Sequence, residues 1–120
     1  FVGNVHEGPH ALNGRNTTLM RPGMIVTDEP GVYETDLVGI RIENELVCVH
    51  KADNQYGTFL GFEPIMFVPI ATSPIVPGVL TRDELDWLNN YHRQVFEKLA
   101  PHLNEDERDW LAKKCAAIGC

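Results

Sequence analysis

Thr81-Arg82-Asp83-Glu84 divides this chain of 120 residues into two kinds of sequence. T-x-x-E is a capping box, in which the threonine hydroxyl accepts from the N3 amide and the glutamate reaches back to the N-cap amide. Leu85, Leu88, Tyr91, Val95 and Leu99 then recur at helical spacing. The pattern predicts a helix over 82–99, stopped by Pro101, which cannot continue one. A second helix is predicted over 104–117. Asn104 is its N-cap, and Glu105, Asp106 and Glu107 fill the first turn, where the helix dipole favours acids. Its apolar face carries Trp110, Leu111 and Ile118. His92 and His102, on or near these helices, are expected to face solvent.

Nothing before Thr81 has that period. Residues 1–23 are rich in Gly, Asn, Pro and His and read as loops, with a short strand at Phe1–Val5. Met24–Thr27 is a short β-rich run. GIRIENELVCVH, residues 39–50, is the clearest strand, β-branched and alternating in its first half. These two strands are expected to pair antiparallel, joined by a loop over 30–38. A loop at 51–58 leads to a third strand, Phe62–Ile70, which Pro64 and Pro69 confine to an edge. A proline-rich connector covers 71–80. The fold class is therefore α+β, with antiparallel strands first and two helices after. The expected division is a β-rich part, 1–72, and a helical extension, 73–120.

Charge excludes one class of partner. The net charge is −7 and no Lys/Arg cluster is present, which argues against a nucleic-acid surface. No apolar run approaches the roughly 18 residues of a membrane span. Cys48, Cys115 and Cys120 are odd in number and lack a C-x-x-C spacing, which fits reduced thiols of the cytoplasm better than a disulfide framework.

Three residues are candidates for chemistry: His6, Glu29 and Glu43. HEGPH at 6–10 matches the letters of H-E-x-x-H, but that motif needs a helix to aim both His at one zinc ion. Gly8 and Pro9 forbid the helix, so HEGPH is a turn. Glu29 ends a short apolar strand before Pro30-Gly31. Glu43 lies inside IRIENELV, where an inward carboxylate needs a partner such as a metal ion. If the strands pair, the two Glu can converge. A sheet with one solvated face gives the same alternation, so the pattern alone leaves both readings open.

Taken in order, NVHEGPH, GMIVTDEPGVY, GIRIEN, FLGFEPIMFVPI and TRDELDWLNNYH resemble the C-terminal part of Xaa-Pro aminopeptidase (aminopeptidase P). The two Glu stand fourteen residues apart in that pattern. The resemblance implies the C-terminal half of a pita-bread (creatinase/aminopeptidase-like) catalytic domain. It implies that Glu29 and Glu43 are metal ligands, with Glu43 bridging two divalent ions, most often Mn²⁺, and Glu29 also moving protons. It implies that His6 is catalytic, contacting substrate and stabilising the tetrahedral intermediate. Arg41 would orient the ligands and contribute to substrate binding, with Tyr33 packed nearby. His10 has no role to carry over.

The resemblance also implies substrates, namely peptides with Pro at the second position. The family's remaining ligands, two Asp and one His, belong upstream of the VHEGP segment. The 120 residues alone are therefore expected to be inactive, and to self-associate or to pair with that upstream half. The rival expectation is a non-catalytic dimerisation or partner-binding module, with Trp87, Leu88 and Tyr91 forming its contact face and the Glu persisting as relics.

Overall fold

A computed structural model describes residues 6–76 and 78–119. The chain forms two compact units, one ending at Met66 and the other beginning at Phe67. The strand expected at Phe1–Val5, and Cys120, lie outside the described residues.

The first unit is antiparallel throughout. β1 (Ile25–Asp28), β4 (Asn44–Asn54) and β5 (Gly57–Pro64) form one sheet in the order β1-β4-β5. β2 (Gly31–Glu34) and β3 (Val38–Arg41) form a separate ribbon. The expected pairing of the two main strands holds, since Ile25 lies opposite Val47 and Asp28 opposite Asn44. Cys48 on the central strand is 1% exposed, the best-buried residue of this unit.

Three strand expectations are corrected. The segment 30–38 is not a loop throughout, because it contains β2 and a tight turn into β3. Leu37 N–H donates to the Glu34 carbonyl, and Asp36 sits at φ 57°, a left-handed position that Asp tolerates. The strand expected over 39–50 is two strands, broken at Ile42–Glu43 where the chain changes partner. The loop and strand boundaries at 51–70 also shift. β4 continues to Asn54 and turns over Gln55-Tyr56, so that β5 runs back from Gly57. Asn54 Oδ1 accepts from the Tyr56 amide at 2.8 Å, and Gly57 takes φ +135°. Beyond Pro64 the ladder ends at the Ile65 amide, bonded to the Glu45 carbonyl. The prolines there have no N–H to continue it.

The second unit is built on helices. α1 (Arg82–Leu99) starts at Thr81 with both capping-box bonds in place. Leu85, Leu88, Tyr91, His92 and Val95 form its buried stripe. A 3₁₀ turn, Ala100–His102, carries Pro101 and leads to α2 (Glu105–Lys114), capped by Asn104 and Glu107 in the same way. α2 ends at Lys114, short of the expected 117. The residues beyond it are held by Asn89, whose side chain bonds both the amide and the carbonyl of Ile118 at 3.0 Å. Tyr91, Val95 and Leu111 make the core, with Phe67, Ile70, Phe96 and Leu103 around it. Trp110 is exposed and Leu111 alone of the expected face is deeply buried.

His92 is the other correction, since it is 0% exposed rather than solvated. Together with Tyr91 it pins the extended segment after Phe67. The Tyr91 hydroxyl accepts from the Val68 amide and donates to the Val68 carbonyl, while His92 Nε2 accepts from the Ile70 amide at 3.1 Å. The segment thus gains from side chains the hydrogen bonds that a strand would supply.

Burial holds the His92 pKa below its ordinary value. The unfolded chain therefore binds more protons between the two pKa values, and stability falls as pH drops through that window. Glu84, held below the ordinary carboxylate range by the Thr81 hydroxyl, loses its contribution only at lower pH. Urea midpoints read by Trp87 and Trp110 fluorescence are expected to fall from about pH 7.5 to about pH 5.5. His92→Gln, whose amide oxygen can still accept from Ile70, should flatten the dependence. A wild-type midpoint constant across this range would contradict the assignment.

Candidate active site

The site follows from one feature of strand pairing. β1 pairs with β4 up to Asp28 opposite Asn44, and β2 pairs with β3 from Gly31 opposite Arg41. Between them lie Glu29-Pro30 on one strand line and Ile42-Glu43 on the other. The Ile42 amide donates to the Pro30 carbonyl at 3.2 Å, so the register is kept across the break. Counting inward from both ladders places Glu29 directly opposite Glu43. Sequence alternation put Glu43 inside a strand; it stands instead at the corner where the chain leaves one sheet for the other. Pro30 has no N–H, so a regular ladder is interrupted at that step.

Two like charges directly opposite each other destabilise a pair of strands. Arg41 relieves this. Its Nη1 lies 3.3 Å from Glu29 Oε2, and its Nε lies 3.5 Å from Glu43 Oε2. Thr27, two residues before Glu29 on β1, donates its hydroxyl to Glu29 Oε1 at 2.8 Å. Glu29 is thereby gripped on both oxygens, and its side chain is only 23% exposed. His6 Nδ1 lies 3.8 Å from Glu29 Oε1, with a side chain 73% exposed. Next to Glu43, Asn44 Nδ2 donates to the Met66 carbonyl at 3.2 Å. HEGPH forms no helix, as Pro9 requires.

Four of the five residues expected at the site, His6, Glu29, Arg41 and Glu43, thus come together. Tyr33 sits on the neighbouring ribbon. Its ring lies across Gly31 and Gly39: a methyl group at Gly31 would stand 2.6 Å from the phenol oxygen, and one at Gly39 would stand 3.0 Å from the ring. A side chain at either position would push the exposed Tyr33 ring aside. Thr27 was not singled out from the sequence. Its signal was available, because a strand alternation that turns Glu29 toward the site also turns the residue two before it to the same side.

The donor set suits a hard divalent cation. The two carboxylates offer four oxygens and carry more negative charge than Arg41 neutralises. Among the described residues no group of three or more His, Cys, Asp and Glu could hold a metal ion. Glu29 and Glu43 therefore fit as part of a metal site and not as a whole one.

Comparison with known proteins identifies the family. Residues 1–50 match the family model described as metallopeptidase family M24, and residues 58–118 match the C-terminal region of peptidase M24. The chain is 46% identical over 115 residues to aminopeptidase P2 of Arabidopsis thaliana, covering 90% of this chain and 16% of that protein. It is 41% identical over 123 residues to a probable Xaa-Pro aminopeptidase P of Coprinopsis cinerea, covering 96% and 20%. The solved X-prolyl aminopeptidase of Caenorhabditis elegans, described as a cytosolic enzyme with a di-nuclear active site, superposes with a TM-score of 0.84. It is 38% identical and covers 96% of this chain and 20% of its own. The chain thus spans about a fifth of the length of the curated relatives it matches.

Arg41→Met removes the cation shared by both carboxylates. Exposed pairs contribute at most about 1 kcal/mol each, so the loss of unfolding free energy should stay under about 2 kcal/mol. Circular dichroism in urea measures it. A larger loss would mean that Arg41 holds the sheets together instead of orienting two carboxylates.

Proposed function

This chain belongs to metallopeptidase family M24, with the C-terminal half of its pita-bread fold, and we propose that it completes the active site of an Xaa-Pro aminopeptidase. The observation that carries the reading is the placement of Glu29 opposite Glu43, with Arg41 on both and His6 at the rim. A pair of like charges on a sheet has a reason to exist where further cations are bound.

Glu29 and Glu43 would hold two divalent ions, for which hard oxygen donors suit Mn²⁺, together with two Asp and one His from upstream. Such ions supply a nucleophilic water at neutral pH and polarise the scissile carbonyl. This chain's residues do the rest. Glu43, at the corner of the ladder, would be a ligand to the ions. Glu29 accepts and returns the proton of the attacking water, and the Thr27 hydroxyl keeps its carboxylate from rotating. Arg41 restrains both carboxylates and lines the substrate's path. His6, with Nδ1 on the Glu29 side, has its other ring nitrogen free to donate to the substrate carbonyl oxygen as negative charge develops. Tyr33 flanks the pair. The substrates are peptides with Pro at the second position.

The isolated chain lacks the upstream ligands and is inactive in this reading. It pairs with that upstream half, or self-associates, through the apolar surface of its strands, where Ile25, Val32, Ile40 and Phe59 are exposed. A cytoplasmic location fits the free thiols of Cys48 and Cys115. Among the described residues no helix is long and apolar enough to cross a membrane.

The test compares this chain with a longer protein that carries the upstream ligands. Only the longer protein should bind Mn²⁺ and hydrolyse Xaa-Pro peptides, and Glu43→Ala should abolish both. If the longer protein binds no metal and cleaves nothing, the reading fails. The partner-binding module then takes its place, although of its expected contact face only Trp87 is exposed and Leu88 and Tyr91 are buried.

A further inference from the structure

The segment from His6 to Thr18 has no strand or helix, yet it is internally braced. Asn13 Oδ1 accepts from the amides of Arg15 and Asn16, both at 3.0 Å. Asn16 Nδ2 and Thr18 Oγ1 both donate to the Pro9 carbonyl at 2.9 Å. The braced loop is tied to the sheet by His10, whose Nε2 donates to the Ile25 carbonyl at 2.8 Å. β1 is an edge strand of its sheet. The Met24 carbonyl is used by Cys48 of β4, so the next carbonyl along, that of Ile25, points to the open edge. His10 supplies the donor that the edge lacks.

The two histidines meet β1 in a fixed order. His10 meets Ile25, and His6, four residues earlier, meets Glu29, four residues later. Residues 6–10 therefore run antiparallel alongside 25–29. A cavity of about 300 Å³, lined by His6, His10, Leu12, Ile25 and Thr27 among others, lies beside loop and strand.

We propose that His10 is a positioning residue: its bond to Ile25 fixes the loop along the open edge of β1 and so holds the His6 imidazole against Glu29. This rests on the reading that His6 works beside Glu29 in Xaa-Pro hydrolysis. His10 touches no substrate in this account and acts only through His6.

The experiment uses the full enzyme, with kcat/KM on an Xaa-Pro peptide, bound Mn²⁺, and amide hydrogen exchange of residues 6–16 as readouts. His10→Ala should lower kcat/KM by roughly 10–100-fold, the usual effect of removing a residue that orients an active-site group. Bound metal should not change, and exchange in 6–16 should rise. His10→Gln, which keeps a donor, should restore both activity and protection. In a His6→Ala background, His10→Ala should change activity by less than about twofold, because the two act in series. Unchanged exchange in His10→Ala, full additivity with His6→Ala, or equal losses in His10→Ala and His10→Gln would each overturn the proposal. An unsubstituted enzyme without Xaa-Pro hydrolysis would overturn the functional reading instead, and the exchange comparison would still decide whether His10 holds the loop.

Discussion

Two carboxylates face each other across a break in an antiparallel ladder, and the local structure is arranged around that conflict. Glu29 and Glu43 fall in register because the pairing at Asp28–Asn44 and at Gly31–Arg41 counts inward to the same point. A regular sheet avoids such a pair. Here Pro30 breaks the ladder, the chain changes sheets, and Arg41 contacts both acids. Thr27 and His6 complete the ring around Glu29. Each neighbour either cancels charge or restrains a carboxylate oxygen.

The two units hold themselves together differently. In the helical unit the side chains of Tyr91, Val95 and Leu111 form a core, and both helices carry complete capping boxes. In the strand unit Val26 and Cys48 are the buried apolar residues among those described. Its geometry depends on backbone pairing, supplemented by ties such as Lys51 to Glu63 at 2.8 Å and His10 to Ile25. The site is therefore positioned by register. A one-residue slip would turn Glu29 and Glu43 away from each other.

How far the sequence could be read depended on how local each signal was. The helix at 82–99 was legible to its boundaries because capping box, periodicity and Pro101 all act within a few residues. The start of the second helix was legible for the same reason. Its end was not, because Asn89, far along the chain, captures the backbone at Ile118. β2 was hidden because its turn relies on Asp36 at positive φ, a weaker signal than glycine. His92 was misjudged because an imidazole on a helix looks alike whether it faces solvent or an amide such as that of Ile70. Ordered motifs singled out His6, Glu29, Arg41 and Glu43 as candidates. Their convergence was not legible, because it depends on a register that only the paired strands define. Thr27 was signalled only by the alternation it shares with Glu29, and His10 acts through a long-range bond with no motif of its own.

Anomalous diffraction at the manganese edge, from crystals of a full-length protein containing this chain grown with Mn²⁺, tests the central claim most directly. Two peaks are expected, roughly 3.5–4 Å apart as two-metal sites are, both within bonding distance of Glu43 and one of them also of Glu29. Peaks located elsewhere, or Glu29 and Glu43 still bound only to Arg41 in the metal-loaded protein, would contradict it.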